Sequence, residues 1–108
     1  MSEDGLRVVL CTSPPSEAGA LARALVEEQL VACVNIVPAV TSVYRWEGKL
    51  EEDTESLLIM KTTSGALETL QDRLVSLHSY SVPEVIALPV SGGSEAYAAW
   101  VKGALRGE

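Results

Sequence analysis

Apolar residues along the chain follow two patterns, short continuous runs and stripes spaced three or four positions apart. Continuous runs at residues 6–11, 31–37 and 57–60 predict β-strands buried in a core. The stripes are typical of amphipathic helices, one over about residues 14–30 and another capped by Ser64. The apolar pattern alone therefore predicts a protein that combines strands with helices.

The middle of the chain predicts a long hairpin. Pro38 cannot donate a hydrogen bond within a sheet, so it predicts a bulge or an edge in the second strand. That strand continues over residues 40–46, Gly48 supplies the turn, and a third strand returns over residues 50–61. Both strands are long for a chain of 108 residues, and we expect them to form an arm that projects from the body.

The last part of the chain predicts one more strand and one more helix. Residues 82–90 form the strand, with Pro83 and Pro89 near its ends, as is typical of a sheet edge. A pair of glycines then turns the chain, and Ser94 caps the last helix. The order βαββαβ with a terminal helix predicts a ferredoxin-like α+β sandwich, in a single domain over residues 1–108.

The predicted strands are apolar at consecutive positions, so apolar side chains point to both faces of the sheet. Residues 8–11, 31–34 and 57–60 show this pattern. Two helices cover one face, and the other face of an antiparallel sheet normally alternates apolar with polar residues. Either another subunit or the terminal helix covers the second face. We expect another subunit, because the terminal helix is too short to span four strands and each buried side chain contributes about 1.5–3 kcal/mol.

Charge and composition exclude several classes of partner. The net charge of −7 argues against nucleic acids, which require Lys and Arg, and against anionic membrane surfaces. The sequence lacks an apolar stretch that could span a bilayer, and residues 1–5 lack the features of a signal peptide. Cys11 and Cys33 stand far apart and are expected to be reduced thiols. These features predict a cytoplasmic protein.

Several motifs resemble one protein family over nearly the whole chain. They comprise ACVNIVP at residues 32–38, TSVYRWEGK at 41–49, the segment from Glu55 to Thr63, HSYSVPE at 78–84, LPV at 88–90, and Tyr97 with Trp100. These motifs resemble the signature of the CutA divalent-cation-tolerance family. The resemblance implies a ferredoxin-like homotrimer in which long hairpins reach onto neighbouring subunits. It also implies a role in tolerance to copper or other divalent cations, without an enzymatic reaction.

His78, the one histidine of the chain, and Cys11 are the candidate metal ligands. A neutral imidazole binds copper, zinc or nickel well, but a histidine at a helix end can equally interact with the helix dipole. The family resemblance implies a metal site, for copper or another divalent cation, at this histidine and at a cysteine that matches Cys11. A thiolate there could bind Cu(I), whereas the alternative is a small buried side chain. The chain departs from the family pattern at Leu77 and Ser79, on either side of the histidine.

Four polar residues lie among apolar strands or at strand ends, namely Asn35, Lys61, Tyr80 and Glu84. Buried polar groups need partners, so these residues either form structural hydrogen bonds or line a cleft between subunits that binds a small ligand. The layout resembles trimeric ferredoxin-like signalling proteins that bind nucleotides between subunits. A glycine-rich phosphate loop is not apparent, which counts against nucleotides.

Acidic and aromatic residues gather near the hairpin tip. The four acidic residues within 51–55 lack the spacing of a calcium loop, so a solvated strand end is the favoured interpretation. Tyr44 and Trp46 share one strand face and are expected to contact a neighbouring subunit, or else to form an exposed patch.

Three functions remain open from the sequence. They are a metal-binding trimer for copper tolerance, a trimer that senses a small molecule or nucleotide at an inter-subunit cleft, and a structural trimer that acts through a protein partner. An enzyme is not expected, because the sequence shows no Ser-His-Asp set and no zinc-hydrolase motif.

Overall fold

A four-stranded antiparallel sheet forms the framework of the protein. The computed structural model describes residues 5–105, so most of the N-terminal segment discussed above and residues 106–108 lie outside the described part. The strands are β1 Leu6–Ser13, β2 Cys33–Trp46, β3 Lys49–Thr63 and β4 Ile86–Pro89. They lie in the order β2-β3-β1-β4, and each neighbouring pair is antiparallel. The ferredoxin-like α+β fold predicted from the sequence is therefore confirmed.

Two of the three α-helices of residues 5–105 pack on the same face of the sheet. They are α1 Pro15–Glu27 and α2 Leu67–Leu77, and the third is α3 Glu95–Gly103. The predicted stripes of α1 and α2 supply Leu21, Leu25, Leu70 and Leu74 to the same core as Val9, Cys11, Leu58 and Met60 of the sheet. Each large apolar side chain buried there stabilises the fold by about 1.5–3 kcal/mol.

The strand register divides the side chains of the sheet between two faces. Cys11 pairs with Leu58, and both side chains belong to the buried core formed with α1 and α2. One residue earlier, Leu10 pairs with Ile59 on one side and Ile86 on the other. Since successive residues of a strand point to opposite faces, these three side chains share the face away from α1 and α2. We call this the open face.

α3 covers one end of the open face. This helix contacts β3, and Tyr97 Oη lies 3.6 Å from Cys33 Sγ at the start of β2. At the opposite edge, Ile86 and Leu88 remain 48% and 44% exposed. α3 alone therefore does not cover the open face. This agrees with the expectation that a helix of this length is too short to span four strands.

β2 and β3 continue past the sheet as a two-stranded arm. β1 pairs with β3 as far as Ser56, whereas β2 and β3 stay paired to Trp46 and Lys49. The molecule measures 45 × 26 × 22 Å, in line with an element that projects from the body. The extended hairpin predicted from the sequence is confirmed.

The irregular points of the arm lie where the sequence places them. The β2–β3 register shifts between Val37 and Val40, around Pro38, as the predicted bulge requires. Gly48 has φ 82° at the tip, a conformation that costs glycine little. Glu47 beside it also has positive φ, so the tip turn demands left-handed backbone at both positions.

Several predicted boundaries are wrong. α1 ends at Glu27 rather than near residue 30, because Gln29 adopts φ 59° and breaks the helical path. β2 consequently begins at Cys33 instead of residue 31. β4 covers four residues instead of nine, because its ladder with β1 runs only over Ile86–Pro89 within the described pairs.

The two predicted serine caps have different outcomes. Ser94 caps α3 as predicted, since its Oγ accepts a hydrogen bond from the backbone N of Tyr97 at 3.2 Å. Ser64 instead starts a short 3-10 turn, Ser64–Ala66, and its Oγ is buried without a partner in the described residues. The predicted cap of α2 is therefore wrong, because this turn precedes the helix.

Candidate functional site

His78 links the end of α2 to the end of β1. Its Nε2 lies 2.8 Å from the carbonyl oxygen of Thr12, and the backbone N–H of Tyr80 donates to its Nδ1 at 3.0 Å. Nδ1 therefore accepts, and Nε2 donates its proton to Thr12, as in a neutral imidazole. The ring also packs against the ring of Tyr80, with centroids 4.6 Å apart. Both nitrogens of this predicted ligand are thus engaged within the protomer.

Cys11 is fully buried on the face covered by α1 and α2. Its Sγ lies 3.5 Å from the carbonyl oxygen of Thr12, a weak contact to which the thiol can donate. Burial, followed by the charges of Glu84 and Glu55, raises the pKa of Cys11 from 9.0 to about 12. The thiol therefore keeps its proton at neutral pH, whereas copper binding would require the thiolate.

The two predicted metal ligands do not form a copper site within one protomer. His78 bonds to the residue next to Cys11, so the fold brings their surroundings together, but each side chain has its own contact. Across residues 5–105, no cluster of three or more His, Cys, Asp or Glu side chains is suited to hold a metal ion. The assignment of His78 and Cys11 as ligands stays a prediction. In the protomer, both His78 nitrogens and the Cys11 thiol already contact other groups, so neither side chain is free to bind a metal without a rearrangement.

A cleft opens where the arm meets the segment after α2. Its volume is about 630 Å³, and we call it the Tyr80 cleft. It is lined by Thr12, Ser42, Val43, Tyr44, Trp46, Asp53, Glu55, Tyr80, Ser81, Val82 and Glu84. This volume lies within the range of about 300–1,000 Å³ that is usual for small-molecule sites.

Two tyrosines hold two carboxylates in the Tyr80 cleft. Tyr80 Oη donates to Glu55 Oε2 at 2.7 Å, and Tyr44 Oη donates to Asp53 Oδ2. The hydrogen bond to Asp53 raises the pKa of Tyr44 to about 12. Burial, followed by the hydrogen bond to Glu55, also raises the pKa of Tyr80. Both phenols thus stay protonated and donate to carboxylates at neutral pH.

The four predicted cleft residues fall at two different places in the protomer. Tyr80 and Glu84 both line the Tyr80 cleft. Lys61 donates to Asn35 Oδ1 across the β3–β2 pair, and it lines a second cavity of about 370 Å³ beside α3. Lys61 and Glu55 are six residues apart on β3, a separation of about 20 Å.

Glu55 is the functional candidate that sequence reasoning missed. The acidic residues of the arm were interpreted as a solvated strand end, but Glu55 is only 8% exposed. Its register partner is Val40, and the alternation of β3 places it on the same face as Asp53. Counting by twos from Lys49, the first residue of β3, reaches Asp53 and Glu55 and so identifies this face, but the burial of Glu55 depends on Tyr80, which donates a hydrogen bond to it.

Tyr44 and Trp46 share one face of β2, as predicted, and both line the Tyr80 cleft. Each remains partly exposed, since the arm is only two strands wide at this point. The predicted contact with a neighbouring subunit stays a prediction.

Comparison with known proteins assigns the chain to a family. The family model described as CutA1 divalent ion tolerance protein matches residues 7–104, nearly the whole described part. The chain belongs to the CutA1 family. The resemblance inferred from the motifs is thereby confirmed.

Relatives in bacteria and plants share about half of the residues of this CutA1 family protein. The divalent-cation tolerance protein CutA of Thermus thermophilus is 52% identical over 96 residues, which cover 88% of this chain and 93% of that protein. The chloroplastic protein CutA of Arabidopsis thaliana is 53% identical over 100 residues, which cover 92% of this chain but 55% of that protein. The chain therefore spans about half the length of this plant relative.

Solved CutA1 structures share the fold. The crystal structure of CutA1 from Oryza sativa superposes with a TM-score of 0.93 at 46% identity and covers 100% of both chains. The Cut A1 structure from Thermus thermophilus gives a TM-score of 0.90 at 48% identity, with 93% of this chain and 98% of that chain covered. None of the helices in residues 5–105 combines the length and apolar character needed to cross a membrane.

Proposed function

We propose that this CutA1 family protein is a cytoplasmic, non-catalytic homotrimer that contributes to tolerance of divalent cations, with copper as the principal cation. The relative from Thermus thermophilus, which is similar over most of both chains, is called a divalent-cation tolerance protein. The structural observation that carries the trimer is the uncovered part of the open face. An apolar sheet face of this kind is stabilised when copies of the chain bury it against one another.

The charge of the chain supports a role with cations. The sequence has 15 Asp and Glu against 8 Lys and Arg, which gives the net charge of −7. Such a surface raises the local concentration of cations. Residues 5–105 of one protomer do not present a ready-made copper site, so the proposal requires ligands that come from more than one subunit or from a rearranged His78.

Calorimetric titration with Cu(I) and Cu(II) tests this proposal. We expect saturable binding at tens of micromolar protein, weakened at least tenfold by His78→Ala if His78 becomes a ligand. Cys11→Ser provides the parallel test of the thiol, and Cys33→Ser on β2 is its matched control, because β3 separates the two cysteines in the sheet. Wild-type protein that binds neither ion at these concentrations contradicts the copper part of the proposal. If neither substitution changes the affinity for copper, His78 and Cys11 are not ligands of the site.

A second candidate function is the binding of a small ligand in the Tyr80 cleft. The specific observation is that the cleft combines the size of a ligand site with hydrogen-bonded carboxylates and aromatic rings. It is supported by the position of Tyr80 and Glu84, which were singled out from the sequence for such a site. A thermal-shift screen of metabolites and nucleotides, repeated on Glu84→Ala, tests this candidate.

A further inference from the structure

Few buried side chains attach α3 to the rest of the protein. Within the helix only Val101 is buried, and Leu105 is buried just after it. By comparison, α1 buries four residues and α2 two in the main core, to which neither Val101 nor Leu105 belongs. The attachment of α3 therefore depends on a separate and smaller set of apolar contacts.

Polar contacts add little to this attachment. The hydroxyl of Tyr97 lies 3.6 Å from the thiol of Cys33, a weak contact because sulfur is a poor hydrogen-bonding atom. Within residues 5–105, no other side chain of α3 forms a hydrogen bond or an ion pair with a residue before Ser94. Tyr97 and Trp100 remain 42% and 51% exposed, so their rings bury only part of their apolar surface.

The linker between β4 and α3 is loosely held. The backbone N–H of Val90 donates to the carbonyl oxygen of Leu6 at 3.2 Å, but Ser91, Gly92 and Gly93 are exposed and form no backbone hydrogen bond with the other described residues. Apart from the adjacent residues, no atom lies within 4 Å of the position that a Cβ would take at either glycine. Gly93 has φ 148°, which costs glycine little. The chain can therefore change direction here without losing contacts.

A cavity separates part of α3 from the sheet. Its volume is about 370 Å³, and the linker, the start of α3, strand β1 and Lys61 of β3 line it. Side chains that border a void lack contact partners on that side. Moving α3 away from the sheet therefore costs fewer contacts than moving α1 or α2 away from the main core.

These observations concern the element that covers one end of the open face. Tyr97 contacts Cys33 there, and the register partner of Cys33 is Lys61, which pairs with Asn35. We propose that α3 is a lid that opens as one unit at Gly92–Gly93 while the sheet, α1 and α2 stay folded. Opening exposes this polar end of the open face, and closure protects it.

The lid and the proposed subunit contact use different parts of the open face. α3 lies over the edge that contains Cys33, whereas Ile86 and Leu88 stay partly exposed at the opposite edge, on β4. The lid is therefore proposed for the full chain in whichever assembly it forms.

Hydrogen exchange of the backbone amides, resolved by NMR on the full chain, tests the proposal. We expect the hydrogen-bonded amides of α3 to be protected about tenfold less, or weaker still, than those of α1 and α2. Protection should be uniform along α3, because a lid exposes all of these amides at once. It should also depend little on sub-denaturing urea, because local opening exposes little surface.

Val101→Ala and Leu74→Ala form a matched pair of variants. Val101→Ala should accelerate exchange in α3 about tenfold or more and leave α1 and α2 within about twofold, because it weakens only the attachment of the lid. Leu74→Ala should accelerate exchange in α1 and α2 and leave α3 unchanged, because Leu74 belongs to the main core. In each variant, the helix or helices left unchanged show that the protein still folds.

Three results overturn the proposal. Equal protection of all three helices means that α3 opens only when the whole protein unfolds, as it would if a neighbouring subunit clamped Tyr97 and Trp100. Protection that declines steadily toward Gly103 means fraying of the helix end and not a lid. Acceleration of all three helices by Val101→Ala means that α3 is part of the same cooperative unit as the core.

Discussion

At the scale of single residues, the polar side chains of the described segment, residues 5–105, form local hydrogen-bonded pairs and not a metal cluster. Tyr80 donates to Glu55, Tyr44 donates to Asp53, and His78 bridges Thr12 and Tyr80. Hydrogen bonds from phenols to carboxylates are charge-assisted and fix the orientation of both groups. Tyrosine, carboxylate and histidine side chains suggest catalysis or metal binding when they are considered in the sequence alone. In the structure, these hydrogen bonds hold them in fixed orientations.

The raised pKa of Cys11 predicts a loss of stability at alkaline pH. The unfolded chain releases this proton near pH 9, whereas the folded protein keeps it to about pH 12. The unfolded state thus binds fewer protons in this window, so the stabilisation is complete below pH 9 and declines as the pH rises. We expect the Tm of wild type to fall more steeply between pH 9 and pH 11 than that of Cys11→Ala, as followed by circular dichroism.

Val9→Ala is the control for the Cys11 prediction. Val9 is also fully buried on the covered face of β1, but it carries no ionisable group. This variant should lose stability at every pH and retain the wild-type slope. A Cys11→Ala protein with the wild-type slope contradicts the prediction.

At the scale of elements, the apolar stripes predicted which face of each helix is buried, while backbone geometry decided where the elements end. The stripe of α2 enters the core as expected, with Leu70 and Leu74 fully buried. The end of α1 was predicted too late because Gln29 adopts a left-handed backbone conformation. Glutamine rarely adopts this conformation, so the sequence gives no signal for it. The length of β4 was overestimated because its hydrogen-bonded ladder with β1 extends only over Ile86–Pro89.

Two neighbouring positions of α2 predict opposite responses to truncation. Leu74→Ala should reduce the free energy of unfolding by about 2–5 kcal/mol, because it leaves a cavity in the core. Val75→Ala should change it by less than about 0.5 kcal/mol, because Val75 faces solvent and is 49% exposed. Urea titration of both variants provides the comparison, and similar losses would contradict the assigned helix face.

At the scale of the whole molecule, the open face and the arm point to assembly. The sheet leaves Ile86 and Leu88 partly uncovered, and the arm extends away from the body of its own protomer. A face and an arm of this kind are suited to reciprocal contacts around a symmetry axis. The family membership agrees with the fold, and the trimer remains the proposal that these two features support.

Leu88→Glu should disrupt this assembly. It places a charge on the open face, where burial between subunits would require its desolvation. We expect wild type to sediment as a trimer at low micromolar concentration and Leu88→Glu to shift toward monomer by at least tenfold in dissociation constant. Val75→Glu on the outer side of α2 is the matched control and should remain trimeric. A wild-type protein that sediments as a folded monomer contradicts the proposed assembly.

The candidate site was predictable in part. Tyr80 and Glu84 were recognised as polar residues beside apolar strands, and both line the cleft. Asn35 and Lys61 were grouped with them, yet they pair with each other at the α3 end. The sequence cannot distinguish these places, because polar residues at different strand positions look alike until the register and the path after α2 are known.

The sequence by itself determined the order of the elements, their buried faces, the bulge near Pro38 and the turn at Gly48. These features follow from local periodicity and backbone conformation, which neighbouring residues encode. The tertiary structure alone decided the burial of Glu55, the engagement of both His78 nitrogens and the protonation of Cys11. Each of these depends on residues far apart in the chain, because burial and hydrogen-bond partners are set by packing between elements.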